Sequence, residues 1–79
     1  MTAEPLRQQI SECLARLHPQ SRGPSVWDLA TQLGAARQDV RTELRAMETE
    51  GLARYSTIGG TMRWGLTALG RDRVTRSSP

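Results

Sequence analysis

The sequence predicts a small α+β domain in which three helices precede a two-stranded β-hairpin and a short C-terminal helical turn. Three observations predict this fold class. Apolar residues recur at helical spacing as far as Met47, Gly and Pro residues divide that region into three segments, and the pattern changes to alternation after Gly51. The 79 residues are enough for one domain. We expect it to span residues 1–75, with a disordered tail at residues 76–79.

The first helix is predicted from Pro5 to Leu17. Its apolar residues share one face at helical spacing: Leu6, Ile10, Cys13, Leu14 and Leu17. Thr2 or Glu4 would cap its start, and the segment from residue 18 to residue 24, which holds two prolines and a glycine, ends it. Cys13 is therefore expected to be a buried structural thiol, and His18 to interact with the dipole at the helix end.

The second and third helices follow with only a short link between them. Ser25 precedes the second helix, Asp28 completes a capping box with it, and Gly34 ends the helix. Trp27 lies off the apolar stripe, so we expect its ring to pack between the first helix and a neighbour, with a partner-binding anchor as the alternative. The third helix is predicted from about residue 36 to residue 50. Two helices joined by so short a link indicate a helix-turn-helix unit.

The third helix has two chemically different faces. Val40, Leu44 and Met47 lie within roughly 60° of one another and form the core side. The opposite arc contains no acid and offers guanidinium, amide and hydroxyl groups: Gln38, Arg41, Thr42, Arg45 and Thr49. Asp39, Glu43 and Glu50 gather on one flank, and Glu48 falls beside Arg37 on the other. Such polar side chains suit the base edges of duplex DNA and its phosphates.

The segment after Gly51 is predicted to be a β-hairpin with Gly59 and Gly60 as its two-residue turn. This turn pairs Tyr55 with Trp64, which we read as a cross-strand pair on the core side. In this register the two faces of the hairpin separate by polarity. A shift of one residue would mix them, so the pattern supports the register. Ala53, Tyr55, Met62, Trp64 and Leu66 share the core face, and Arg54, Ser56, Ile58, Thr61 and Arg63 share the other. Thr67 is expected to cap the last helical turn.

Composition narrows the classes of function. All 11 basic residues are arginines, the formal charge is +3, and the pI is about 10.4, which favours an anionic partner, nucleic acid first. One Cys and one His cannot form a disulfide or a Cys/His zinc site, so we expect no metal and no cofactor. No catalytic constellation is present, which argues against an enzyme. Neither a membrane span nor a signal peptide is seen, and a single unpaired Cys suits the cytoplasm.

Three quoted stretches carry a resemblance to a known family. "SVWDLATQLG", "DVRTELRAMETEGLARY" and "MRWGLTALGR" resemble the winged helix-turn-helix domains of MarR-, PadR- and ArsR-type bacterial regulators. The resemblance covers roughly residues 25–73 and implies a small transcriptional regulator. It places the third helix (about 36–50) in the major groove of double-stranded DNA and the wing (about 53–66) on the backbone or minor groove. The implied contacts in the third helix are Arg37, Gln38, Arg41, Thr42 and Arg45, and those in the wing are Arg54, Gly59, Gly60 and Arg63.

The chain also departs from these families. MarR- and ArsR-type repressors dimerise through flanking helices that this chain is too short to carry, so we expect a monomer in solution that pairs weakly on DNA. ArsR-type metal sensing needs clustered Cys and His residues, which are missing. A fainter resemblance is to winged domains that bind left-handed duplexes, but those carry an aromatic residue where this chain has Arg45. The competing function is a protein-docking module in which the arginines only confer solubility.

Overall fold

In the computed structural model, which describes residues 5–17 and 22–77, four helices surround a two-stranded antiparallel sheet. The elements follow the order α1 (Leu6–Ala15), α2 (Val26–Leu33), α3 (Arg37–Thr49), β1 (Ala53–Ile58), β2 (Thr61–Leu66) and α4 (Ala68–Ser77). The predicted order of three helices and a hairpin is thus confirmed. The last element is longer than predicted, because α4 is a helix of 10 residues. It includes Arg76 and Ser77, which the prediction assigned to a disordered tail.

The core lies where α1, α2 and α3 meet the inner face of the hairpin. Every helix before the hairpin contributes fully buried side chains, and β2 adds the largest of them, Trp64. Within the described residues, no charged or polar side chain is buried. The seven most deeply buried side chains are Ile10, Leu14, Leu29, Val40, Leu44, Met47 and Trp64. Cys13 is also buried, as predicted for a structural thiol.

The junction of α2 and α3 is fixed by its two ends. The predicted capping box is present: the Asp28 amide donates to Ser25 Oγ at 3.2 Å, and the Ser25 amide donates to Asp28 Oδ2 at 3.1 Å. Gly34 ends α2 with a φ of 64°, in the left-handed region that side chains other than glycine rarely adopt. The chain therefore turns within three residues and α3 begins at Arg37.

The hairpin has the predicted register, in which Tyr55 pairs with Trp64 and Ile58 with Thr61. Gly59 and Gly60 form the turn with φ values of 57° and 81°. The predicted core face is only partly correct. Trp64 is 2% exposed, whereas Tyr55 is 39% exposed, although its ring contacts Trp64 at a centroid distance of 5.2 Å. The hairpin projects beyond the helices, so the residues of its core-side face that lie toward the tip have no core to pack against.

Helix α4 is held against the start of the hairpin by one threonine. Thr67 Oγ1 donates to the Gly51 carbonyl at 2.5 Å and accepts from the Gly70 amide at 3.0 Å. The predicted cap is therefore confirmed, and it also bonds the segment that follows α3. Gly70 lies so close to the Leu52 carbonyl that a Cβ would overlap it. The proposed caps Thr2 and Glu4 and the proposed dipole partner His18 lie outside the described residues.

Candidate nucleic-acid interface

The outward face of α3 carries polar side chains that reach into solvent. Gln38, Arg41, Thr42 and Arg45 are all exposed, while the opposite side of the helix is buried in the core. The Thr42 hydroxyl donates to the Gln38 carbonyl at 2.9 Å, so it keeps only its acceptor sites for a partner. Among the described residues, no carboxylate pairs with Arg41. These four predicted positions form one continuous patch, which we call the α3 face.

One acid lies nearer this face than the sequence indicated. Glu48 pairs with Arg45, at 3.6 Å between Glu48 Oε1 and Arg45 Nη1, although it had been placed beside Arg37. The projection gave only angular positions and neglected the length of the arginine side chain, which reaches the residue one turn away. A pair this exposed contributes little to stability, so Arg45 can exchange the carboxylate for a stronger anionic partner.

Two other acids, Glu43 of α3 and Glu50 at its C-terminal cap, pair with Arg7 of α1. Arg7 Nε lies 3.0 Å from Glu43 Oε2, and Arg7 Nη1 lies 2.7 Å from Glu50 Oε2. The hydrogen bond to Glu43 raises the pKa of the Arg7 guanidinium above its ordinary value. A single arginine of another helix therefore offsets part of the charge of the acidic flank. Arg7 was not predicted, although its place on α1 beside the apolar residues was a usable signal.

The start of α3 contains an aromatic pair that the sequence did not predict. The guanidinium carbon of Arg37 lies 4.5 Å from the ring centroid of Trp27. Trp27 is 59% exposed, so the expectation that its ring packs between α1 and a neighbour is wrong. It lies in the first turn of α2, where its ring provides a surface for Arg37. Arg37 is thereby held at the edge of the α3 face.

The predicted wing residues separate into two groups. Gly59 and Gly60 form the exposed tip, whereas Arg54 and Arg63 lie nearer the base on the outer face of the hairpin. Arg63 Nη1 donates to the Gly23 carbonyl and to Asp28 Oδ2, each at 3.4 Å. Hydrogen bonds within the chain therefore occupy Arg63 Nη1. The hydrogen bonds from Ser25, with a smaller contribution from Arg63, lower the pKa of Asp28 below its ordinary value.

The described residues give little support for metal binding or for a membrane-spanning helix. Within residues 5–17 and 22–77, no three His, Cys, Asp or Glu side chains form a group that could hold a metal ion. None of the helices in the described ranges combines the length and the apolar character needed to cross a membrane. The dominant feature is a polar helix face bordered by arginines, which suits hydrogen bonding to an anionic polymer.

Comparison with known proteins identifies the fold. No protein-family model and no curated protein sequence matches the chain. Among solved structures, a candidate DNA-binding protein from Ralstonia eutropha superimposes with a TM-score of 0.82 at 18% identity, covering 99% of this chain and 100% of that one. A mutant of ZitR from Lactococcus lactis gives a TM-score of 0.78 at 15% identity over 96% of this chain, and a mutant of MepR from S. aureus gives 0.74 at 24% identity over 89%. The chain spans about half of each of these two proteins (51%). The chain therefore has the small winged helix-turn-helix fold of these three proteins.

Proposed function

We propose that the chain binds double-stranded DNA sequence-specifically and acts as a small cytoplasmic transcriptional regulator. In this proposal α3 enters the major groove and the hairpin lies on the backbone or in the minor groove. The base-reading residues are Arg37, Gln38, Arg41, Thr42 and Arg45, and the hairpin contacts come from Arg54, Gly59, Gly60 and Arg63. Two copies pair only weakly, on DNA that supplies two half-sites.

The α3 face is the observation that carries the proposal. Its arginines and its amide can form the bidentate contacts that distinguish guanine and adenine in the major groove. Arg7 pairs with Glu43 and Glu50 on the other side of the helix, so these two carboxylates lie away from the surface that would approach phosphate, and among the described residues Glu48 alone pairs with an arginine of the α3 face. A helix that merely covers a core has no need of this arrangement, so the separation of charge favours a functional surface.

The fold supports the same function by analogy. The Ralstonia eutropha protein is described as a candidate DNA-binding protein, and ZitR and MepR are MarR-family regulators. The similarity to these proteins is one of fold. It supports DNA binding but does not identify a target sequence.

The test is duplex binding by Arg41→Gln/Arg45→Gln, measured by fluorescence anisotropy on a selected preferred sequence and on random DNA. If either arginine forks onto a guanine, we expect a loss of about 1–3 kcal/mol on the preferred sequence and much less on random DNA. For the wild type, four to six neutralised phosphates give a slope of log K against log salt of about −4 to −5.

The matched control is Arg16→Gln/Arg76→Gln, which removes the same charge from exposed positions at the C-terminal cap of α1 and on α4. We expect this variant to bind the preferred sequence nearly as well as the wild type. Equal losses in the two double variants would show that α3 is not the reading element. The competing docking function, to which the exposed Trp27 lends some support, would then take precedence.

A further inference from the structure

A second cationic surface lies away from the α3 face. A cavity of about 260 Å³ opens between the outer face of the hairpin, the end of α1 and the start of α4. Arg22, Arg54, Arg63 and Arg71 line it, and each comes from a different segment of the chain. We call this cavity the arginine pocket. None of its four arginines belongs to α3 or to the hairpin tip. Arg54 and Arg63 are also proposed hairpin contacts, whereas Arg22 and Arg71 have no place in the proposed reading surface.

The charge around the arginine pocket is strongly unbalanced. No Asp or Glu is among the residues that line it. The nearest compensation is Asp28, which pairs with Arg63 at 3.4 Å. In the described part of the chain, no carboxylate pairs with Arg22, Arg54 or Arg71. Guanidinium groups stay charged at any accessible pH, so an anion bound among them would lower their mutual repulsion.

Arg63 adds a separate indication that a partner is missing. Its Nε is buried and has no hydrogen-bond partner among the described residues. A buried donor without an acceptor is destabilising, and native proteins avoid it unless a bound group satisfies it. Because Arg63 lines the pocket, an oxyanion bound there would contact its guanidinium together with those of the other arginines.

The volume of the arginine pocket and the guanidinium donors that line it indicate which ligand it binds. A guanidinium presents a planar fork of donors that matches the oxygens of phosphate, and four such groups suit a dianion better than a single carboxylate. The volume corresponds to roughly nine liquid waters at about 30 Å³ each, which is ample for one or two phosphate groups. We propose that the arginine pocket binds a phosphate group, supplied either by a small phosphate-bearing molecule or by a nucleic-acid backbone.

The first test uses inorganic pyrophosphate as the probe, followed by ¹H–¹⁵N NMR at constant ionic strength set with NaCl. We expect saturable shifts in the Arg22, Arg63 and Arg71 Nε–Hε signals and in the Gly65 amide. The variant Arg22→Gln/Arg71→Gln removes two exposed side chains and should weaken binding about tenfold or more. The variant Arg41→Gln/Arg45→Gln is the control and should bind pyrophosphate like the wild type.

The second test identifies the source of the phosphate. If a duplex backbone supplies it, Arg22→Gln/Arg71→Gln should reduce the salt slope of duplex binding by about two, and pyrophosphate should compete with the duplex. If a small molecule supplies it, Arg22→Gln/Arg71→Gln should leave the salt slope of duplex binding unchanged. The proposal is overturned if neither pyrophosphate nor duplex shifts the pocket signals, or if shifts spread evenly over all arginines. A pocket that binds pyrophosphate in a chain that ignores duplex DNA would refute the proposed function alone.

Discussion

The contact between Trp27 and Arg37 should make a measurable contribution to folding and to DNA binding. The perturbation is a double-mutant cycle of Trp27→Ala, Arg37→Ala and the combined variant. The guanidinium lies 4.5 Å from the ring centroid, within the distance at which a cation is attracted to an aromatic face. Because the ring is 59% exposed, the interaction falls at the weak end, about 0.5–1 kcal/mol.

The expected effect on binding follows from the mobility of a free arginine. Fixing a side chain with many rotamers on binding costs about 0.5–1.5 kcal/mol. Because Trp27 already restricts the Arg37 side chain in the free protein, binding requires only part of this cost. If Arg37 contacts DNA, Trp27→Ala should therefore weaken duplex binding by a factor of at most about 12. Trp27→Phe keeps an aromatic face and should retain most of the affinity.

Urea denaturation gives the folding part of the cycle, with the buried Trp64 as the fluorescent reporter in every variant. Anisotropy with labelled duplex gives the binding part. Additive losses in the free energy of unfolding would show that the two side chains do not interact in solution. If the folding cycle shows coupling but the binding losses are additive, the contact exists and has no role in positioning Arg37 for DNA.

Three further predictions concern the scaffold. The pKa of Asp28 is lowered in the folded chain. The ionised carboxylate therefore stabilises the fold fully at a pH above its pKa in the unfolded chain, about 3.8, and this stabilisation is lost as the pH falls through its pKa in the folded chain. Asp28→Asn should thus be less stable than the wild type at neutral pH, and the gap should close in acid; a constant gap would contradict this. Thr67→Ala should lower the free energy of unfolding by about 0.5–2 kcal/mol through loss of the cap, whereas Thr67→Ser should be nearly neutral; equal losses would point to the methyl group. Gly59→Val/Gly60→Val should cost about 1–2 kcal/mol per residue because both have positive φ, and the control Gly65→Ala, whose Cβ meets no atom within 4 Å, should not; unchanged hairpin chemical shifts in the double variant would argue against the turn.

The local structure was predictable because each element carries its own signal. Ser25 and Asp28 define a helix start at fixed spacing, and the two glycines at the hairpin tip define a register that alternation then supports. These signals depend on neighbours along the chain, so no knowledge of the packing was needed. The apolar side of α3 was predicted for the same reason, and Val40, Leu44 and Met47 are all buried.

The errors concern contacts between distant segments. The expectation that Trp27 packs between α1 and a neighbour is wrong, because the position of α2 leaves its ring exposed beside Arg37. The contact of Arg7 with Glu43 joins residues that are 36 positions apart, and periodicity carries no information about such pairs. The arginine pocket was missed likewise, because its members are assembled only when the hairpin packs beside the ends of α1 and α4.

The exposure of the hairpin has a consequence for local unfolding. Only Ala53 of the six residues in β1 is buried, so the outer ladder is stabilised by its own hydrogen bonds and little else. Two paired strands are only marginally stable where nothing covers them, as in the outer part of this hairpin. Amide hydrogens near Ser56 and Thr61 should therefore exchange with solvent through local opening, far faster than those of Leu44 in the core. The proposed duplex binding would raise amide protection at this end of the molecule more than in α3, whose apolar side is already buried in the core.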